Sequence, residues 1–106
     1  MEIIDRLSAG NPEKKRYYIN LFLEVLKPEH ERMRSADMVD SEDQEPLRQI
    51  LHKIKSQVQT VGANEIHAAM HAAEEKITSG GHVSGEEMAP IIAGLHALIG
   101  NLQEQL

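Results

Sequence analysis

The sequence predicts an all-α protein: an antiparallel four-helix bundle with a short extra N-terminal helix. Three observations carry that expectation. Apolar residues recur at spacings of three and four along nearly the whole chain, no stretch shows the alternation of a half-buried strand, and the breaks fall at Gly, Pro and polar runs. Helices joined by such short connections bury their stripes best against antiparallel neighbours.

Ile3, Ile4 and Leu7 predict a short opening helix that Gly10 ends, lying across one end of the bundle. Asn11, Pro12 and Glu13 then supply an N-cap, a proline at the first helical position and an acid in the first turn. This helix runs through Tyr18, Leu21, Phe22, Val25 and Leu26 toward Arg34, with Pro28 a candidate kink because it removes one backbone donor. The polar run Asp37 to Glu45 reads as a loop, and Pro46 lies near the start of the next helix.

On that helix, at about 100° per residue, Leu47, Ile50, Leu51, Ile54, Val58 and Val61 share one face. Gly62 stops it, since glycine accepts the left-handed conformation found just past helix ends. Asn64 is a candidate cap for a helix carrying Ile66, Ala69, Met70, Ala73 and Ile77, which Ser79, Gly80 and Gly81 terminate. Ser84 and Glu87 have capping-box spacing before a last stripe of Met88, Ile91, Ile92, Leu95, Leu98, Ile99, Leu102 and Leu106. Pro90 places the start of its regular part nearer Glu87.

At 106 residues, 41% hydrophobic and 26% charged, the chain fits a single domain spanning residues 1–106. It contains no Cys, no signal-type apolar segment and no stretch approaching the roughly 20 apolar residues of a membrane span, so a reducing, cytoplasmic setting without direct membrane contact is expected. The net charge of −6 argues against nucleic-acid binding, and with only Tyr17, Tyr18 and Phe22 as aromatics there is no stacking platform for bases.

Opposite the apolar face of the third predicted helix lie Arg48, His52, Lys55, Ser56 and Gln59. A phosphoryl carrier needs a nucleophile reachable from outside, a positive charge for the phosphoryl oxygens, and small neighbours that admit an incoming active site. His52 fits the first role, Lys55 at i+3 the second and Ser56 at i+4 the third. Lys55 reads as a solvated surface charge whose removal leaves stability nearly unchanged. No P-loop or kinase motif accompanies them, so direct use of ATP is not expected.

His52, Lys53, Ile54, Lys55 and Ser56, with Gly62 ten residues after the histidine, resemble the H-x-[IL]-K-[GS] core of histidine-containing phosphotransfer (HPt) domains of bacterial phosphorelays. YINLFLEVLKPEH looks like that family's Phe-containing helix, and AAEEKI occupies the place of its Leu-Glu segment. The resemblance implies that His52 takes a phosphoryl group from a receiver-domain aspartate and passes it to another receiver. It also implies that Glu74 orients the ring and that His71 supports it, as in chemotaxis-kinase phosphotransfer domains. A carboxylate on Nδ1 would leave Nε2 as the nucleophile.

Ser56 stands where Gly is more usual, Gln59 is larger than the common residue, and Ala73 replaces Leu. Response-regulator receivers are the implied partners, meeting Arg48, Gln49, Lys55, Ser56 and Gln59. No cofactor is expected, Mg²⁺ coming from the receiver, and the expected state is a monomer, either free-standing or part of a sensor kinase. Two other classes fit the residues: a bundle that binds partners without carrying phosphate, and a metal-binding bundle using His67 and His71. Against the metal reading, those histidines also suit a polar helix flank, and the Glu-x-x-His repeats of di-iron bundles are absent. His30, His82 and His96 have no evident partners in the sequence, and Met70 and Met88 read as core filling.

Overall fold

Asn11 turns the chain into its first long helix: its side chain accepts hydrogen bonds from the backbone N–H of Glu13 (2.9 Å) and Lys14 (3.3 Å), ahead of Pro12 at the first helical position. The computed structural model describes Arg6 and residues 8–106. Its helices are α1 (Pro12–Met33), a single turn α2 (Ala36–Val39), α3 (Glu45–Thr60), α4 (Asn64–Thr78) and α5 (Gly85–Glu104), with no strand among the described residues. The predicted opening helix at Ile3, Ile4 and Leu7 lies outside the described residues.

The four long helices form a ring, α3 packing on α4, α4 on α5, α5 on α1 and α1 on α3. This is the four-helix bundle the periodicity predicts, and its α1/α5 seam lies across from the α3/α4 seam. The core is aliphatic: Ile19, Leu26, Met33, Leu47, Leu51, Ile54, Val58, Met70, Met88, Leu95 and Leu102 are fully buried. Met70 and Met88 are thus core residues.

The α3 stripe is as the sequence predicts, while that of α1 is rotated. α1 buries Ile19, Leu23, Leu26, Glu29, His30 and Met33; Tyr18, Phe22 and Val25 pack at the margin, and Leu21 is exposed. At about 100° per residue, Leu21 points some 200° away from Leu23 and cannot share its face. The helix continues through Pro28. On α5, Leu106 lies beyond the last helical residue and is exposed, unlike the rest of its predicted stripe.

Two caps differ from expectation. Asn64 is already the first residue of α4 and makes no side-chain capping bond, because Ala63 occupies the cap position. Gly62, at φ +81°, closes α3 with N–H bonds from Gly62 to the Gln59 carbonyl (3.0 Å) and from Ala63 to the Val58 carbonyl (3.2 Å). That pair of bonds needs a left-handed residue and ends the helix sharply. α5 starts at Gly85, before Pro90, since the full Ser84–Glu87 capping box already satisfies its first turn.

The Asp37–Glu45 run is not wholly loop. It holds part of α2, and Glu45 already belongs to α3. Buried Gln44 donates to the carbonyls of Val39 (2.9 Å) and Val83 (2.8 Å) and accepts from the Val83 N–H (2.8 Å), tying the lead into α3 to the lead into α5.

Candidate functional site

His52 stands mid-way along α3 on its outer face, its side chain 68% exposed. The periodicity that buries Leu51 and Ile54 turns it outward. Across the α3/α4 seam, Glu74 comes from the inner side of α4 next to buried Ala73, with its side chain only 11% exposed. The two meet at the surface edge of the seam: His52 Nδ1–H donates to Glu74 Oε1 at 2.8 Å. An ionised carboxylate can only accept, so Nδ1 carries a proton, and in the neutral ring this leaves the lone pair on Nε2.

Lys55, one turn along α3, donates to the other oxygen of the same carboxylate, Oε2, at 2.7 Å. Its ammonium also lies 3.2 Å from His71 Nδ1. An ammonium has no lone pair, so His71 accepts there and carries its proton on Nε2, which points to Glu75 Oε1 at 3.2 Å. Burial pushes the Glu74 carboxyl up, but the hydrogen bonds from Lys55 and His52, together with their charges, outweigh it and hold the group below its usual range.

Lys55 therefore differs from the solvated charge read from the sequence. Its side chain is 22% exposed because the ammonium lies over a nearly buried acid. Helical spacing alone could not show this, since the partner is on another helix.

The remaining sequence candidates line the same outer face. Arg48 is half-buried, and Gln49, Ser56 and Gln59 are exposed. Arg48 forks onto Glu45 through Nε (2.8 Å) and Nη2 (2.6 Å), and this hydrogen bonding holds the Glu45 carboxyl below its usual range. The Arg48 charge is thus largely matched within its own helix.

One cluster was not read from the sequence. Glu29 of α1, buried, accepts from Lys53 Nζ (2.9 Å) and Arg32 Nη1 (3.2 Å). The i,i+3 spacing of Glu29 and Arg32 was available in the sequence as a signal, whereas the Lys53 contact depends on α1 packing against α3. His30 and His96, read as lacking partners, face each other across the α1/α5 seam with ring centroids 5.6 Å apart. They line a cleft of about 520 Å³ with Arg34, Ala89 and Ile92. His82 Nε2 lies 3.0 Å from the Ser41 carbonyl oxygen.

His67 and His71 stack with nearly parallel rings 6.4 Å apart, and both His71 nitrogens are engaged by Lys55 and Glu75. Among the described residues no group of three or more His, Cys, Asp or Glu side chains is arranged to hold a metal ion. The chemistry offered at His52 is nucleophilic. In the neutral ring the Nε2 lone pair belongs to an exposed side chain whose Nδ1 is held by a carboxylate, and a cation is held on the same carboxylate.

Comparison with protein families matches residues 18–105 to the Hpt domain. The matched segment includes all of α3, α4 and α5 and most of α1. Comparison with curated proteins and with solved structures found no match.

Proposed function

The chain belongs to the Hpt domain family, and we propose that His52 is the residue on which it carries a phosphoryl group. The family's function is histidine phosphotransfer in two-component signalling, and its members are phosphoryl carriers rather than enzymes acting alone. The observation that supports His52 is its pairing: Nδ1 bound to Glu74 at 2.8 Å, with Nε2 free on an exposed ring.

In this reading Nε2 attacks the phosphorus of a receiver's aspartyl phosphate in line. The N–P bond forms as the P–O bond to the aspartate breaks, and the aspartate leaves as a carboxylate. Because Nδ1 keeps its proton, the ring gains positive charge as Nε2 bonds to phosphorus. Glu74, kept ionised by its two donors, stabilises that charge. Lys55 lies on the same carboxylate and supplies a cation for the phosphoryl oxygens, and His71 holds the lysine from its other side. Transfer to a second receiver is the same displacement in reverse.

Membership of the family implies receiver domains as partners. We assign Arg48, Gln49, Ser56 and Gln59 to the contact, because they share the outer face of α3 with His52. A modest patch of this kind suits a transient encounter. We read residues 1–106 as one such domain acting as a monomer in the cytoplasm. Among the described residues no helix is long and apolar enough to cross a membrane.

The test is to incubate the protein with a phosphorylated receiver and follow acid-labile, base-stable label. The parent should take up label and His52→Gln should take up none. Equal labelling of the two would remove His52 from the function.

A further inference from the structure

We propose that the receiver docks over the α1 side of His52, where Lys53 and Arg32 present a fixed pair of cations to its acidic transfer site. This inference rests on the phosphotransfer reading of His52 and specifies the partner surface for it.

His52 is straddled by two clusters. On a helix, Lys53 is turned about 100° from His52 in one direction, and Lys55, three residues on, about 60° in the other. Lys53 accordingly meets Glu29 on α1, and Lys55 meets Glu74 on α4. A receiver that covers the His52 ring meets a different surface toward each seam.

The two sides present opposite charge. On the α4 side, Glu74 holds the largely covered Lys55, and exposed Glu75 lies beyond it, paired with His71. On the α1 side the order is inverted: Glu29 is buried, while Lys53 and Arg32 above it are 60% and 58% exposed. An approaching partner meets the cations first and the acid not at all.

A receiver's transfer site is built around carboxylates, so its potential matches the α1 side and opposes Glu75. Glu29 adds a second effect, since two long side chains already held by one carboxylate lose less freedom on binding than free ones do. Half-buried Val25 and Phe22, four and seven residues before Glu29, continue the same stripe of α1 and supply apolar area beside the cations.

The experiment compares two phosphoryl donors. Phosphoramidate, a small donor, needs only the His52 ring. The second donor is a phosphorylated receiver domain, chosen as the one from the source genome that labels the parent fastest. The main variant is Lys53→Gln/Arg32→Gln. A second variant adds Glu29→Gln so that no buried acid is left without a partner. Lys14→Gln/Arg16→Gln makes the same charge change near the start of α1, about 20 Å from Glu29.

Both site variants should lose about ten-fold or more in kcat/KM from the receiver at low salt, and less at about 0.5 M salt. Phosphoramidate labelling should stay within about two-fold of the parent, and the remote variant should match the parent with both donors. Receiver transfer within about two-fold of the parent in both site variants overturns the proposal. So does an equal loss in the remote variant, or a parallel loss with phosphoramidate. A parent that phosphoramidate cannot label at His52 overturns the phosphotransfer reading itself, and this docking with it.

Discussion

Glu74 and Glu29 are two nearly buried carboxylates on opposite sides of one exposed histidine, and each ties down two basic side chains. Glu74 accepts from His52 and Lys55, so in the proposed phosphotransfer it would select the reacting nitrogen and hold a cation beside it. Glu29 accepts from Lys53 and Arg32, neither of which touches the ring. A buried acid under surface cations is therefore one device with two uses. Under the proposed phosphotransfer, the acid whose partner is the nucleophile would set reactivity, and the acid whose partners are both spectators would shape the surface.

Removing each acid in turn should separate these uses most strongly. Glu74→Ala should slow phosphoramidate labelling of His52 by about 10–100-fold, the usual cost of losing a group that orients a reactive imidazole. The NMR tautomer signals of His52 should change with it. Glu29→Ala should leave both within about two-fold of the parent. Equal effects from the two substitutions would erase the distinction.

Removing one cation from each side gives a smaller contrast, in stability. Lys55→Ala strips a partly covered charge from a nearly buried acid and should cost about 1–3 kcal/mol in urea unfolding. Lys53→Ala removes a mostly exposed charge and should cost under about 1 kcal/mol. The reverse order would mean that burial on the two sides has been misjudged.

The pH dependence gives the finest contrast. Glu74 titrates below its ordinary 4.5 when folded, so the stability it contributes is complete above 4.5 and is lost as pH falls through the lower folded value. Glu74→Gln should flatten the urea midpoint against pH in that acid range. His30 behaves separately: burial, opposed by the charge of Glu31, holds its imidazole below 6.5. Its contribution is complete above 6.5 and declines below it, because the unfolded chain then binds the proton more readily. His30→Phe should flatten the curve just under 6.5 and leave the Glu74 region unchanged.

Much of the bundle was legible because local physics wrote it. The α3 stripe, the Asn11 cap, the Ser84–Glu87 box and the stop at Gly62 are each set by a few adjacent residues. The α1 stripe was less legible, because its apolar residues cover more than one face and the choice between them is made by α3 and α5. The exposure of His52 followed from periodicity. Pairing it with Glu74 took the family resemblance, because nothing local joins residues 22 apart. The cover over Lys55, the Lys53–Glu29–Arg32 cluster and the Gln44 bonds were illegible for the same reason. All depend on which helices become neighbours.

The Gln44 bonds also bear on the order of events in folding. The Val83 amide lies in a connection without regular structure, where exchange with solvent is ordinarily fast, yet it donates to a buried side chain 39 residues away. That bond requires the leads into α3 and α5 to be in place together, so it belongs to the assembled bundle and not to any helix pair that forms early. In a hydrogen-exchange experiment the Val83 proton should be retained as long as those of the helix interiors, making one loop amide a reporter of global opening.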